Sequence, residues 1–349
     1  MESVGTLGLL AILVAGGAAT WVAGFFLSKA TDRIDDHFGL GQALGGMLLL
    51  GIAGTLPEIA ITVSAAVSGH LDLAVGNLLG GIAMQTLVLV LLDATSRNRR
   101  PLSNLSNSLE PLHEAALVIG VVGIAVMGTQ LDAAATIGPA SPASLAIVAL
   151  WLIGIFTLNR NRRSPRWQAA ELLASTASAP VAESEPGSGG DSKSIGGTLL
   201  VFGLASGVTL VAGVLLEQSG NALADDIGMN GAIFGATVLA AITALPEIST
   251  GLAAVRMGQV GLAMGDIFGG NAIQVTLFLV ADLLAGQAVL TTASVESIWL
   301  ACLGIVVTAV YLNGLVTRPE RKVLGVGPDS LLVAVVYILG VIGLLFLKT

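Results

Sequence analysis

A stretch of 43 residues occurs twice in this chain, and each copy sets a proline beside a glutamate within a long apolar segment. Gly51–Asp93 aligns without a gap onto Ala240–Asp282 at an offset of 189, and fourteen positions are identical. Among them, Leu56, Pro57, Glu58, Gly76, Gly80, Gly81, Gln85 and Asp93 return as Leu245, Pro246, Glu247, Gly265, Gly269, Gly270, Gln274 and Asp282. A proline inside a helix removes one donor and clashes with the preceding turn, so each copy predicts a broken helix. A carboxylate in such a segment is costly unless it faces a partner, a cavity or an ion. The chain is therefore expected to consist of two related halves, each built around one expensive charge.

Composition places those halves in a membrane. Of the 349 residues, 54% are hydrophobic and 11% charged, against about 25% charged in an ordinary soluble domain. Apolar runs repeatedly exceed the roughly 18 residues that mark a membrane-spanning helix. Ten spans are predicted, over residues 5–27, 40–67, 72–92, 112–128, 143–158, 196–216, 229–255, 259–281, 295–315 and 330–347. The first has no basic leader before it and reads as a span, not as a cleaved signal. No basic cluster with interleaved aromatics suggests nucleic acid. The single cysteine, Cys302, forms no internal disulfide.

Charge in the loops orients the spans. Lys29, Arg33, Arg97, Arg99, Arg100, Arg160, Arg162, Arg163, Arg166, Lys193, Arg256, Arg318, Arg321 and Lys322 fall on one side, and only Lys348 on the other. With the basic side in the cytoplasm, the chain is a multi-pass protein of the inner (plasma) membrane with both termini outside. The two copies then run in opposite directions. The fold class expected is an all-α polytopic membrane protein of ten transmembrane helices, in two inverted five-helix repeats whose second and seventh helices are broken. Residues 1–160 form the first repeat, 161–194 a flexible cytoplasmic linker rich in Ser, Ala, Pro and Gly, and 195–349 the second repeat. His70, Asp72, Glu217, Asp225 and Asp226 are expected in outer loops. Tyr311, Tyr337 and Trp299 are expected as interfacial anchors, and Asp93 and Asp282 as helix-end or loop contacts.

Inverted repeats with helices interrupted at matching places point to a transporter with a midplane site. The ligands such a site needs are present twice. Glu58 and Glu247 bring full charges. Pro57 and Pro246 leave the carbonyls around Gly54 and Thr243 without helical donors, free to turn toward a cation. Thr55 and Thr243 can add hydroxyls, and Gln85 and Gln274 amide oxygens. Asn77 and Asp266, two turns before the glutamines, either line the pathway or bond to the broken helix opposite. Calcium takes six to eight oxygen ligands in flexible geometry and suits this set. Sodium, also hard and oxygen-seeking, is not excluded by it. No Cys or His cluster supports zinc or copper.

These motifs resemble the calcium:cation antiporter superfamily and, within it, the sodium/calcium exchanger branch. The family pattern is Thr-Ser-x-Pro-Glu followed by Gly-Asn-x-x-Gly-Ser-Asn-x-x-Asn, once per half. Gly54-Thr55-Leu56-Pro57-Glu58 and Thr243-Ala244-Leu245-Pro246-Glu247 are similar to the first element, and Gly76–Gln85 and Gly265–Gln274 to the second. The resemblance implies that Glu58 and Glu247 bind the ions, and that the first helix of each half slides past a fixed core. The departures are Gly81 and Gly270 for the family serine, Ile82 against Asn271 for the next asparagine, Gln85 and Gln274 at the last polar position, and Ala244 for a site hydroxyl.

The function expected is secondary active antiport of Ca2+ against Na+ by alternating access, with Ca2+/H+ or monovalent Na+/H+ exchange at the same glutamates as the alternatives. Inorganic cations and the lipid bilayer are the only partners expected, with no cofactor, and one chain holding both halves suffices as a monomer. A channel normally needs a symmetric ring or filter, which two broken helices in inverted halves do not supply. An enzyme is disfavoured because there is no His-Glu-x-x-His and no Ser-His pair at matched depth. With both glutamines neutral, the site holds two charges unless Asp266 joins it. That count favours fewer than three sodiums per cycle.

Overall fold

The computed structural model describes residues 4–38, 50–106, 108–163 and 195–347. Among them there is no strand, only two isolated bridges at Ile137–Ala140 and Val323–Val326. The first half runs α1 (Thr6–Phe38), α2 (Leu50–Gly54), α3 (Leu56–Ser68), α4 (Leu71–Thr95), α5 (Glu110–Gly128) and α6 (Pro142–Arg163). The second opens with α7 (Ile195–Asp226). A segmented helix follows, made of α8 (Gly231–Phe234), a π-helical turn Gly235–Leu239, α9 (Ala240–Thr243) and α10 (Leu245–Arg256). It ends with α11 (Val260–Ala285), α12 (Val295–Thr317) and α13 (Pro328–Gly343). Nine helices among the described residues are long and apolar enough to cross a membrane, and Leu56–Ser68 is a shorter apolar helix. Of the expected linker 161–194, Asn161, Arg162 and Arg163 still belong to α6, and residues 164–194 lie outside the described residues.

The two breaks fall where the prolines place them, but each is only one residue wide. Thr55 (φ −86°, ψ 7°) separates α2 from α3, and Ala244 (φ −78°, ψ −3°) separates α9 from α10. Backbone bonds still bridge each gap: Ile59 N donates to Thr55 O at 2.9 Å and Ile248 N to Ala244 O at 3.1 Å. What each proline does remove is the N–H owed to the carbonyl four residues back, Ala53 in one half and Ile242 in the other.

α4 and α11 are buried along most of their length. They are apolar on all sides, as helices enclosed by other helices must be. α1 and α7 are unusually long, 33 and 32 residues, or nearly 50 Å at about 1.5 Å per residue. They pack along each other, α1 also against α10 and α7 against α3. Glycine makes both crossings close. A Cβ at Gly24 would come within 2.8 Å of the Pro246 side chain, and one at Gly213 within 3.0 Å of the Pro57 carbonyl oxygen. Gly24 and Gly213 are themselves 189 apart, so each half seats a glycine on the other half's break.

Asp93 and Asp282 are fully buried loop ties, as expected. Asp93 accepts from the backbone N–H of Leu102 at 3.1 Å and of Gly327 at 2.6 Å, and pairs with Lys322 at 3.2 Å. Asp282 accepts from Val289 at 2.7 Å and Ser141 at 2.8 Å. Each carboxylate thus fastens the loop after its own helix and the entry to the last helix of the opposite half.

Two expectations are corrected. Of the residues expected in outer loops, Asp72 opens α4, Asp225 and Asp226 end α7, and Glu217 lies within α7, fully buried against α3 and the α3–α4 turn. There it accepts from Ser64 Oγ at 2.7 Å and meets His70 Nδ1 at 2.5 Å. Those two partners make its burial tolerable, which the apolar count could not register. Tyr311 is not an interfacial anchor. It is fully buried, edge-on to Phe268 with ring centroids 5.9 Å apart. Trp299 does lie partly exposed, its indole donating to Gly340 O at 2.8 Å, and Tyr337 is half-buried beside Met84.

Candidate cation site

Each glutamate is the third residue of a half-helix that begins at the break, Glu58 in α3 and Glu247 in α10. The exposed N–H groups of a helix start favour an anion there. Both side chains are buried, Glu58 completely and Glu247 to 5% exposure. The breaks face each other reciprocally. The Thr243 side chain lies alongside the Glu58 carboxylate. A Cβ at Gly54 would stand 4.0 Å from Glu247 Oε1 and 3.7 Å from Asp266 Oδ1. Gly54 and Thr243 are repeat partners, as are Glu58 and Glu247, so each carboxylate meets the other half's interruption.

Asp266 belongs to this neighbourhood. Glu58 and Asp266 are the charged neighbours of Glu247, and Asp266 Oδ2 accepts from Thr250 Oγ1 at 2.6 Å. Asp266 thus stands beside Glu247 as a candidate third charge, the case that the two-charge count left open. A small cavity lined by Gly24, Ser28, Gly54, Glu247, Thr250 and Asp266 among others lies beside α1. No three His, Cys, Asp or Glu side chains among the described residues converge as a metal cluster. A cation here needs neutral oxygens as well as charge.

Unpartnered buried atoms show where such oxygens are. Glu58 Oε2, Glu247 Oε2 and both amide atoms of Asn77 and of Asn271 have no hydrogen-bond partner and are out of reach of solvent. A buried polar atom without a partner costs about 1–3 kcal/mol, more when charged, and a bound cation offsets that for each oxygen it contacts. The threonine hydroxyls are tied to their own helices as donors only. Thr55 Oγ1 donates to Gly51 O at 3.0 Å and Thr243 Oγ1 to Ala240 O at 3.3 Å, which leaves their lone pairs for a cation.

The glutamines do not behave alike. Gln85 Nε2 donates to Glu58 Oε1 at 3.1 Å and to Gln274 Oε1 at 3.2 Å. Gln274 Nε2 turns to the carbonyls of Asn77 and Leu78 in α4, at 3.3 and 2.8 Å. Thr250 and Ser28 are absent from the residues singled out by sequence, and Asn271 enters there only as standing at the family asparagine. Thr250 lies one turn beyond Glu247 and Asn271 one turn before Gln274, the spacing that puts two side chains on one helix face. Ser28 carries no signal in the repeat.

A model of the family described as sodium/calcium exchanger protein matches residues 8–175 and 197–346. The chain is 28% identical over 248 residues to the inner membrane protein YrbG of Escherichia coli (strain K12), a match covering 69% of each chain. It is 23% identical over 287 residues to the putative antiporter CaxA of Alkalimonas amylolytica, covering 78% of this chain and 79% of that one. Among solved structures, the H+/Ca2+ exchanger CAX superposes with a TM-score of 0.68 at 14% identity, over 98% of this chain and 82% of its own. The sodium-calcium exchanger NCX_Mj superposes with a TM-score of 0.59 at 16% identity, over 96% and 98%. At these identities the two structures speak for the fold.

Proposed function

We propose that this chain, which belongs to the sodium/calcium exchanger protein family, carries Ca2+ in exchange for Na+ at a site made by Glu58, Glu247 and Asp266. The observation that carries this reading is the pair of buried carboxylates at two facing helix breaks, Glu58 and Glu247, each with Oε2 left without a partner, and the half-buried Asp266 beside Glu247. Asn77 and the carbonyls freed by Pro57 and Pro246 supply neutral oxygens, and Gly54, Thr55 and Thr243 line the breaks. One Ca2+ leaves one negative charge uncompensated. Three Na+ match the three carboxylates, so the charge count now favours a three-to-one cycle.

The wider reading follows from the same plan. Residues 1–160 and 195–349 act as inverted halves joined by 161–194, and the paired helices α1 and α7 move against the rest to expose the site alternately. The protein works as a monomer in the inner membrane with both termini outside, and its only partners are inorganic cations and lipid. Proton coupling is the second reading, because one Ca2+ with one proton neutralises three carboxylates as well as three Na+ do. Calcium flux in sealed proteoliposomes, driven first by a sodium gradient and then by a pH gradient at clamped voltage, tests both. Sodium-driven uptake supports the first reading. Uptake driven only by the pH gradient replaces it with the second, and no uptake under either gradient refutes calcium antiport.

A further inference from the structure

The two glutamines are repeat partners with the same side chain, yet their hydrogen bonds run in one direction. The direction is set by chemistry. A primary amide has two N–H donors on nitrogen and only acceptor capacity on oxygen. Gln274 reaches the backbone carbonyls of Asn77 and Leu78. Carbonyls donate nothing, so only the Gln274 nitrogen can face them, and both of its N–H groups are used there. Its oxygen is then turned toward Gln85 and accepts from Gln85 Nε2 at 3.2 Å. The same Gln85 nitrogen, now fixed in direction, spends its other N–H on Glu58 Oε1 at 3.1 Å. All of these groups are buried, Gln85 at 2% exposure and Gln274 at none, so water does not compete for the bonds.

We infer that Gln274 is a positioning residue and not a cation ligand: clamped on α4, it orients Gln85, which in turn holds Glu58 Oε1 and leaves Oε2 alone for the cation. This rests on the cation site proposed above. It differs from that site's first reading, in which both amides offer oxygen to the ion. Glu58 is presented through one oxygen in a fixed orientation. Glu247 has no equivalent brace, because the amide that would supply it by repeat symmetry is engaged across the interface.

Gly81 is the second element of the clamp. A Cβ there would stand 2.8 Å from Gln274 Nε2, so the absence of a side chain makes room for the long amide. At the repeat-related Gly270, a Cβ would meet nothing within 4 Å. Only the side on which the glutamine crosses requires the gap.

Gln274→Met keeps the length of the side chain and removes its hydrogen bonds; Gly81→Ala leaves Gln274 in place and displaces its nitrogen. Calcium uptake into proteoliposomes is measured for each and for the double variant, with incorporated protein quantified. Each single variant is expected to raise KM for Ca2+ on the order of tenfold, the loss of one hydrogen bond to a charged group, with maximal rate within a factor of two. Gly81→Ala should add less than twofold in the Gln274→Met background, because both act through one clamp. Should Gln274→Met not fold, Gly81→Ala alone carries the test through its KM. A wild-type KM in the folded single variants, or a full further effect of Gly81→Ala in the double, overturns the inference. Absence of calcium uptake by the wild-type protein refutes instead the transport reading on which it rests.

Discussion

Replacing Asp266 by Asn tests how many charges the site uses. The substitution preserves shape, and it gives the second half the residue the first half already has at Asn77. Asp266 Oδ1 and Glu247 Oε1 both lie within 4 Å of one point, the Cβ position of Gly54, so they are within about 8 Å of each other. Two unit charges at that distance interact by about 2 kcal/mol at an effective dielectric constant of about 20. A monovalent ion seated between them is closer to each than they are to one another. Its affinity should therefore fall by at least the same amount, roughly thirtyfold. Ca2+ keeps the two glutamates and should still be carried. If the wild-type cycle moves three Na+ per Ca2+, one net charge crosses per calcium; without Asp266 the site matches two Na+, and the exchange becomes electroneutral. Current and tracer calcium uptake recorded on the same proteoliposomes give the ratio directly. The expected result is a fall from about one charge per Ca2+ toward zero with uptake retained. An unchanged ratio with intact uptake would refute a charge-counting role for Asp266. Loss of all calcium uptake in a folded variant would assign Asp266 to Ca2+ itself, and the step-by-step count would fail with it.

The remaining predictions separate site from scaffold. Glu58→Gln and Glu247→Gln should each abolish calcium uptake while the protein still inserts and purifies as a single species, and substantial uptake by the double variant would remove both from the site. Asp93→Asn and Asp282→Asn should leave KM for Ca2+ unchanged but lower thermal stability in detergent, since each breaks a buried acceptor of two backbone N–H groups worth about 1–3 kcal/mol; a raised KM with unchanged melting would argue the reverse. In a Cys302→Ser background, cysteines at Ser188 and at the exposed Ile227 should label from opposite sides of intact cells, and labelling from one side would refute the inverted arrangement of the halves.

The features legible in the sequence were those in which a single residue type carries the physics. A proline must strip a carbonyl of its donor wherever a helix continues through it, so the breaks at Thr55 and Ala244 were foreseeable from Pro57 and Pro246. Their width was not, because one helical residue with an unstrained backbone suffices to interrupt the pattern while hydrogen bonds from Ile59 and Ile248 still span it. Asp93 and Asp282 could be read as loop ties from their recurrence near a membrane surface. Glu217 could not be placed, since its burial depends on Ser64 and His70, more than 140 residues away in the chain. Gly24 and Gly213 share the repeat offset but lie outside the stretch of recognisable identity. A glycine in a glycine-rich membrane helix carries no mark of what it touches until the helix opposite is known.

Identity between the copies is therefore an uneven guide to role. Glu58 and Glu247 are identical and occupy like places, each at the start of a half-helix and each facing the other half's break. Asp93 and Asp282 are identical and make crossed bonds of the same kind. Gln85 and Gln274 are also identical, but they meet each other, and that changes the outcome. Two like residues far from the point where the halves meet can repeat their surroundings without interference. Two amides that meet there share one space and one set of donors, so they either form a closed pair or divide the tasks. Here they divide, because Gln274 finds better acceptors in the α4 carbonyls than in its counterpart. The asymmetry spreads from that contact: Gly81 must stay small while Gly270 is unconstrained, Glu58 is braced while Glu247 is not, and the added charge of the site, Asp266, lies in the half whose glutamate has no amide. A cation taken up between two such halves would be contacted unequally as soon as one side chain from each half competes for the centre.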